Sequence, residues 1–581
     1  MRHFVLLSLT GLLLVGSVQS GQQAPYRTLN DTFEPPRHTD VTRWNARAAH
    51  LRERILATAG LMPMPDRPPL QPRIFSQVSQ ADYSVAKVYF ESLPGFYLTG
   101  NLYRPAGDGP FPAILSPHGH WPYGRLENTS SASVPGRAIN LARQGFVVFT
   151  YDMVGYVDSQ QLPHTFGGRR ENLWGLSLAG LQLWNAIRGV DFLEALPYVR
   201  REAIGATGAS GGGTQTFLLA AVDERIAVAA PVNMISLHMQ GGCLCENTPG
   251  LRLDTTNVEL AATIAPRPLL MVSATGDWTK NTLEREYPAV RAIYSLLDAA
   301  DRVHALRVDA EHNYNRESRE AMYAWMARWL QGAPADVRRP ERSFSPGPLP
   351  ELLVFHGRPL PPGAVTPAEL THNWIEAAKR QLGAASPHIK LQALRHALGF
   401  ADAPPAGGAG PAKRNRTVLL THPDPDLERA LRGAGLTVLP VAFAPFDTEA
   451  AEKVRHFETY NRTAASQRVA DIVTALRAHP GAALVGSGDA ALPGLLATAI
   501  APPSAAVLDV NGFDTADDGE FVTRLYIPGL RRAGDLQTAA SAYQGRLMVH
   551  NAENGFVLPG DSVRKTKLSP AEIAQFLAAP R

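Results

Sequence analysis

Three observations predict a mostly parallel α/β sheet with helices on both faces. Short apolar runs alternate with amphipathic stretches from FPAILSPHG at residue 111 to about residue 332. The small-residue segment GASGG at 208–212 falls between one such run and a helix. After an interval rich in proline, alanine and glycine, the same alternation starts again near residue 413.

The chain has 581 residues, of which 45% are hydrophobic, so it can bury more than one core. Its 56 basic and 53 acidic residues leave a net charge of +3. That balance gives no electrostatic footprint for nucleic acid or an anionic membrane, and neither is expected as a partner. Residues 1–20 read as a signal peptide. Arg2 is the positive start, Phe4 to Val15 is apolar, and Val18 and Ser20 suit cleavage before Gly21. The apolar run falls short of the ~20 residues a bilayer span needs. The rival reading is an uncleaved anchor. A periplasmic or secreted enzyme, with no membrane association after cleavage, is expected.

Residues 21–80 form an N-terminal extension containing the helix VTRWNARAAHLRERILATAG, with Trp44, Ala48, Leu51 and Ile55 on one face. Gly60 suits its C-terminal cap. Residues 81–332 form the catalytic domain. VAKVYFES and FYLTGNLYRP alternate with period two around the turn Leu93-Pro94-Gly95. FPAILSPHG, FVVFTYD, AIGATGAS, IAVAAPV, PLLMVSATG and HALRVDA are the following strands, with GRAINLARQG, SLAGLQLWNAIRGVDFLEAL and TQTFLLAAV among the helices. Residues 333–412 read as a linker with a helical segment, PAELTHNWIEAAKRQL. Residues 413–581 hold the second α/β pattern. In it LVGSGDAA lines up with ATGASGGG, so Gly488 falls where Ser210 sits and Glu553 or Asn554 falls near Asp277. A degenerate, duplicated domain without its catalytic set is expected there. Coincidence among similar α/β elements is the rival.

GASGG matches G-x-S-x-G between a strand and a helix, the context of a nucleophile elbow in the α/β-hydrolase fold. Side chains at Gly208 or Gly212 would collide with their neighbours in so tight a turn. A serine hydroxyl needs an adjacent base oriented by a carboxylate. The chain order serine, acid, histidine selects Ser210, then Asp277 after PLLMVSATG, then His312 after HALRVDA. Glu246 is the rival acid, and Glu311 reads as a solvated charge. Oxyanion donors are expected at Gly211 and in the loop His118-Gly119-His120-Trp121, from Gly119 and His120. Two histidines without carboxylates at ligand spacing point to a structural and oxyanion-loop role. The two cysteines, Cys243 and Cys245, exclude a disulfide framework by number, and a bridge two residues apart would be strained. They read as loop residues. No metal cluster is expected, and no cofactor is needed.

The segments PAILSPHGHWPYGR, FVVFTYDMVGYVDS, LAGLQLWNAIRGVDFL, GASGGGTQT and AEHNYN together resemble exported acetyl xylan esterase-like and dienelactone-hydrolase-like α/β-hydrolases over residues 40–332. The loop GGCLCENTPGLR is similar to one in exported members of that set. The resemblance implies Ser210, Asp277 and His312 as the triad, and supports ester hydrolysis more than xylan as substrate. The C-terminal half resembles the degenerate second domain of some large exported esterases.

Trp121, Tyr123, Trp174 and Trp278 lie in loops near the expected site, where they either stack on sugar rings or serve as packing. Arg125 and Arg252 either bind a substrate carboxylate, as a glucuronoyl ester requires, or form surface ion pairs. A small ester or acetylated oligosaccharide is the expected substrate. A prolyl-oligopeptidase-type peptidase is the second reading, weakened because no β-propeller repeat precedes the catalytic region. An inert glycan-binding scaffold is the third. The oligomeric state is left open.

Overall fold

The computed structural model describes residues 26–35, 37–400, 415–553 and 555–579. The expected signal peptide, residues 401–412 of the expected linker and Asn554 lie outside them. Strands β1 (Arg73–Ser79), β2 (Tyr83–Leu93), β3 (Phe96–Pro105), β4 (Phe111–Leu115), β5 (Val147–Tyr151), β6 (Val199–Ala209), β7 (Ile226–Val232), β8 (Leu269–Ala274) and β9 (Val303–Val308) form one sheet. Their order is β1-β2-β3-β5-β4-β6-β7-β8-β9. Pairings from β1 to β5 are antiparallel. From β5 to β9 all are parallel.

The period-two alternation of the strands sends side chains to two covered faces. Ile114 and Val148 join Ile139 of helix Val134–Arg143 and Met326 of helix Arg316–Gln331. Leu115 and Phe149, paired in register, join Trp184 of helix Leu178–Glu194 and Phe217 of helix Gly211–Val222. Each fully buried side chain of this kind contributes roughly 1.5–3 kcal/mol by leaving water. Ser133, Ser177 and Asn315 cap the helices they precede, each accepting from a backbone amide of the first turn. Helix Val41–Thr58 forms as the periodicity predicts, burying Trp44, Ala48, Leu51 and Ile55. The strand β1, unanticipated by the sequence reading, lies within 21–80 and extends the sheet. Its residues are exposed or half-buried, so it shows little apolar alternation.

The second α/β pattern forms a separate sheet of β10 (Thr417–Leu420), β11 (Thr437–Pro440), β12 (Ala483–Gly486), β13 (Ala505–Asp509) and β14 (Arg546–His550). It is parallel throughout, in the order β11-β10-β12-β13-β14. This reproduces the order β5-β4-β6-β7-β8 of the first sheet, an order also found in flavodoxin-type sheets. One face of the second sheet packs on helix Pro570–Ala578 through Ile573 and Leu577. The other, with Leu419, Leu484 and Leu508, joins the same continuous core as Leu115 and Phe149. Between the sheets lie helix Pro367–Ala384, as expected, and a second helix, Pro387–Ala397. Among the described residues no helix is long and apolar enough to cross a membrane.

Candidate active site

Ser210 follows the last residue of β6 and precedes helix Gly211–Val222, with φ 57° and ψ −125°. A serine in this region is strained, and the strain is held by close neighbours on every side. A Cβ on Gly208 would lie 2.6 Å from the carbonyl oxygens of Gly212 and Pro117. A Cβ on Gly119 would lie 2.8 Å from Ala209 O and 3.2 Å from the Ser210 Cβ. Glycine at these positions lets two loops close on the serine. The amide of Gly211 is among the first four of its helix, which have no partner within the helix and point toward the serine end.

Asp277 and His312 come from the loops after β8 and β9. His312 Nδ1 lies 2.9 Å from Asp277 Oδ2. Asp277 Oδ1 accepts from the Thr279 amide at 2.7 Å and the Thr279 hydroxyl at 2.5 Å. Its carboxylate is almost wholly buried, whereas the imidazole retains 26% exposure. The ring therefore donates from Nδ1 and keeps Nε2 for another proton. Two ties hold this loop beside the elbow. The Tyr314 hydroxyl is 2.6 Å from that of Thr207, three residues before Ser210. Asn233 Nδ2 donates to Asn313 O at 3.0 Å, and the neighbouring Val232 O accepts the Ser210 amide at 3.1 Å.

Trp278 and Trp121 lie against the His312 ring, with centroids 4.5 and 5.8 Å away. Trp121 Nε1 also approaches Gly119, 3.0 Å from where its Cβ would stand. Tyr123, two residues beyond Trp121, is 64% exposed. His118 is buried beneath: its Nε2 accepts from the Met153 amide at 3.0 Å, and Nδ1 donates to Gly119 O at 2.7 Å. Burial pushes its pKa down to about 3, so it is neutral. Holding the Gly119 carbonyl fixes the plane of the next peptide, whose N–H belongs to His120.

Several expected site residues lie elsewhere. Trp174 is not at the site: it donates to Asp518 Oδ1 at 2.9 Å and lies under Arg531, in the contact between the two sheets' regions. Arg125 is neither a substrate ligand nor a surface residue. It is buried, bonding Asp152 at 3.0 Å, Asp158 at 2.6 Å, Asn101 and Leu352 O. Burial raises the Asp152 pKa to about 7 against the opposing pull of Arg125. Arg252 is also buried, bonding Asn257, Asn247 and Glu246 O. Glu246 does not face His312; its Oε2 accepts the amides of Gly242 and Cys243 at 2.7 and 3.0 Å.

Both cysteines lie in the loop after β7, as expected, where they join a group that the sequence reading did not assemble. His120, Cys243 and Cys245 meet His164, with one ligand atom of each within 4.8 Å of every other. His120 Nε2 is 3.1 Å from Cys245 Sγ, and His164 Nε2 is 3.3 Å from Cys243 Sγ. The Cys243 thiol is held far below the usual thiol range, first by the neighbouring Cys245 and then by the two imidazoles. Burial pushes the Cys245 thiol up. The sequence signal was positional: these residues lie in the loops after β4, β5 and β7, which are close neighbours in the sheet.

The sheet, the helices on both faces and the site at the carboxyl ends of the parallel strands define an α/β-hydrolase of the esterase-like kind, a hydrolytic enzyme. The comparisons agree with this class. The profile of the X-Pro dipeptidyl-peptidase (S15) family matches residues 95–305. The Bacillus subtilis (strain 168) protein YtaP, named as a hydrolase, is 24% identical over 242 residues, covering 38% of this chain and 80% of its own. The solved structure of methylesterase BT1017 is 29% identical with a TM-score of 0.51, covering 60% of this chain and 78% of its own.

Proposed function

We propose that this chain hydrolyses carboxylic esters through Ser210, His312 and Asp277. The observation that carries the reading is the His312–Asp277 hydrogen bond, with the His312 loop tied to the strand that leads into Ser210 and to the residue after β7. Ser210 Oγ attacks the ester carbonyl while His312 Nε2 takes its proton. The oxyanion faces the amides of Gly211 and His120, and His312 returns the proton to the departing alcohol. Water then attacks the acyl-enzyme by the same proton path, releasing the acid and restoring the serine.

The substrate class is an ester carried on a plant-type polysaccharide, either an acetyl group or a methyl or glucuronoyl ester of a uronic acid. Likeness to a methylesterase supports an ester substrate, and the exposed ring of Tyr123 beside Trp121 offers a sugar-stacking face. The apolar segment Phe4 to Val15 supports export of the enzyme. A second reading, cleavage of X-Pro peptides, is favoured by the S15 match alone.

A substrate panel of p-nitrophenyl acetate, acetylated xylo-oligosaccharides, methyl esters of uronic acids and aminoacyl-proline amides separates these readings. Ester turnover that disappears in Ser210→Ala, with the circular dichroism spectrum unchanged, is expected. Full ester turnover in that variant, or turnover of proline amides alone, refutes the ester proposal.

A further inference from the structure

We infer that His120, His164, Cys243 and Cys245 form a closed Cys2His2 metal site beside the nucleophile, of the kind that takes zinc. Four ligand atoms from three loops gather within 4.8 Å of one another. In a tetrahedral zinc site with Zn–S about 2.3 Å and Zn–N about 2.0 Å, ligand atoms stand roughly 3.5 Å apart. The 3.1 Å and 3.3 Å approaches of His120 to Cys245 and His164 to Cys243 fall near that spacing. Small movements would admit the ion.

The surroundings are those of a ligand set. His164 Nδ1 donates to Val154 O at 2.5 Å, so the Nε2 lone pair faces Cys243. Fixing the tautomer of a ligating histidine with a backbone carbonyl is the usual outer-shell device. The cysteine loop is shaped independently of any ion. Glu246 accepts two of its amides, Asn247 donates to Gly241 O and Cys243 O, and buried Arg252 holds Glu246 O and Asn247 Oδ1. A disulfide between residues two apart would demand strained geometry that this hydrogen-bonded loop does not supply.

Four protein ligands leave no open position, so the metal would be structural. Its place gives it a further consequence. The His120 ring packs so closely on Gly211 that a Cβ there would lie 2.6 Å from the imidazole Cε1. A metal holding that ring would pin the loop after β4 against the first turn of the nucleophile helix. The inference does not depend on the ester reading, since metal content is measured without substrate.

The test uses the purified full chain, with zinc and cobalt(II) as probes. After exposure to zinc and dialysis, inductively coupled plasma mass spectrometry is expected to find about one zinc per chain. Cobalt substitution is expected to give the intense visible bands of a tetrahedral site and near-ultraviolet thiolate charge transfer. Cys243→Ser/Cys245→Ser should lose both the metal and the charge-transfer band. His164→Ala, the milder change, should keep the thiolate band but alter the visible bands. Folded wild-type protein that binds neither metal, or in which a Cys243–Cys245 disulfide persists after mild reduction, overturns the inference. So does stoichiometric zinc retained by the double cysteine variant.

Discussion

Two turns at the carboxyl edges of the two sheets share a positive φ and differ in the side chains around it. Ser210 follows β6 with φ 57°, and Gly488 follows β12 with φ 58°. Each stands after the third parallel strand in a matching strand order, before a helical segment. At the first turn the serine is 8% exposed and the neighbouring histidine, His118, is buried. At the second, His422 and Asp489 pair at 3.3 Å in the open, 42% and 54% exposed. Asp277 stands three residues beyond the end of β8, and Glu553 three residues beyond the end of β14. Among the described residues, β14 is followed not by a strand matching β9 but by an isolated parallel bridge from Val549 to Val563, and residues 564–579 hold no histidine to match His312. A left-handed residue at the strand–helix junction is thus a property of the scaffold. The first turn differs in its strained serine and in the full strand β9, whose following loop carries His312.

The largest test converts the first turn into the second. Ser210→Gly keeps the positive φ and removes the nucleophile. Ester hydrolysis should fall by about ten-thousandfold or more, with equal or slightly raised Tm because glycine relieves the strain. Unchanged turnover would break the comparison. Next, Asp277→Asn should lower kcat by about ten-thousandfold, whereas Glu246→Gln should have a far smaller effect on the rate. A reversed pattern would make Glu246 the acid.

The ion pairs beneath the turns should differ as strongly in stability. Arg125→Ala leaves Asp152 and Asp158 buried without their cation and is expected to cost about 3–5 kcal/mol in urea unfolding. Arg468→Ala, which removes the half-buried partner of exposed Asp489, should cost under about 1 kcal/mol. A smaller expected effect is on pH. Unfolded histidine takes a proton near pH 6.5, and His118 in the fold only near 3. The unfolded state therefore binds more protons between these values. Stability should fall on acidification through that window by up to about 1.4 kcal/mol per pH unit from this residue, and His118→Asn should flatten the slope. Gly488→Ser should cost about 1 kcal/mol for a side chain at positive φ and leave turnover unchanged.

Much of the fold was legible because its signals are local. Period-two alternation marked β2 and β3, short apolar runs marked the later strands, and 3.6-period stretches marked most helices. The polar edge strand β1 left no such signal. The elbow was legible since glycine spacing and strand–helix context lie within a few residues of Ser210. The pairing of Asp277 with His312 was legible from chain order and from their place just beyond a strand end.

Arg125, Arg252 and Trp174 could not be placed from sequence. A cationic or aromatic side chain in a loop reads the same whether it meets substrate, buried carboxylates or another sheet. His164 and its three companions were missed because metal-ligand spacing is a local pattern. Here the ligand atoms come from three loops that only the sheet order brings together. The sequence by itself determined the alternation of elements and the backbone of the elbow, since propensity, periodicity and glycine act over a turn or two of chain. Tertiary structure alone decided which distant loops share an edge, because that depends on strand order and packing across more than a hundred residues.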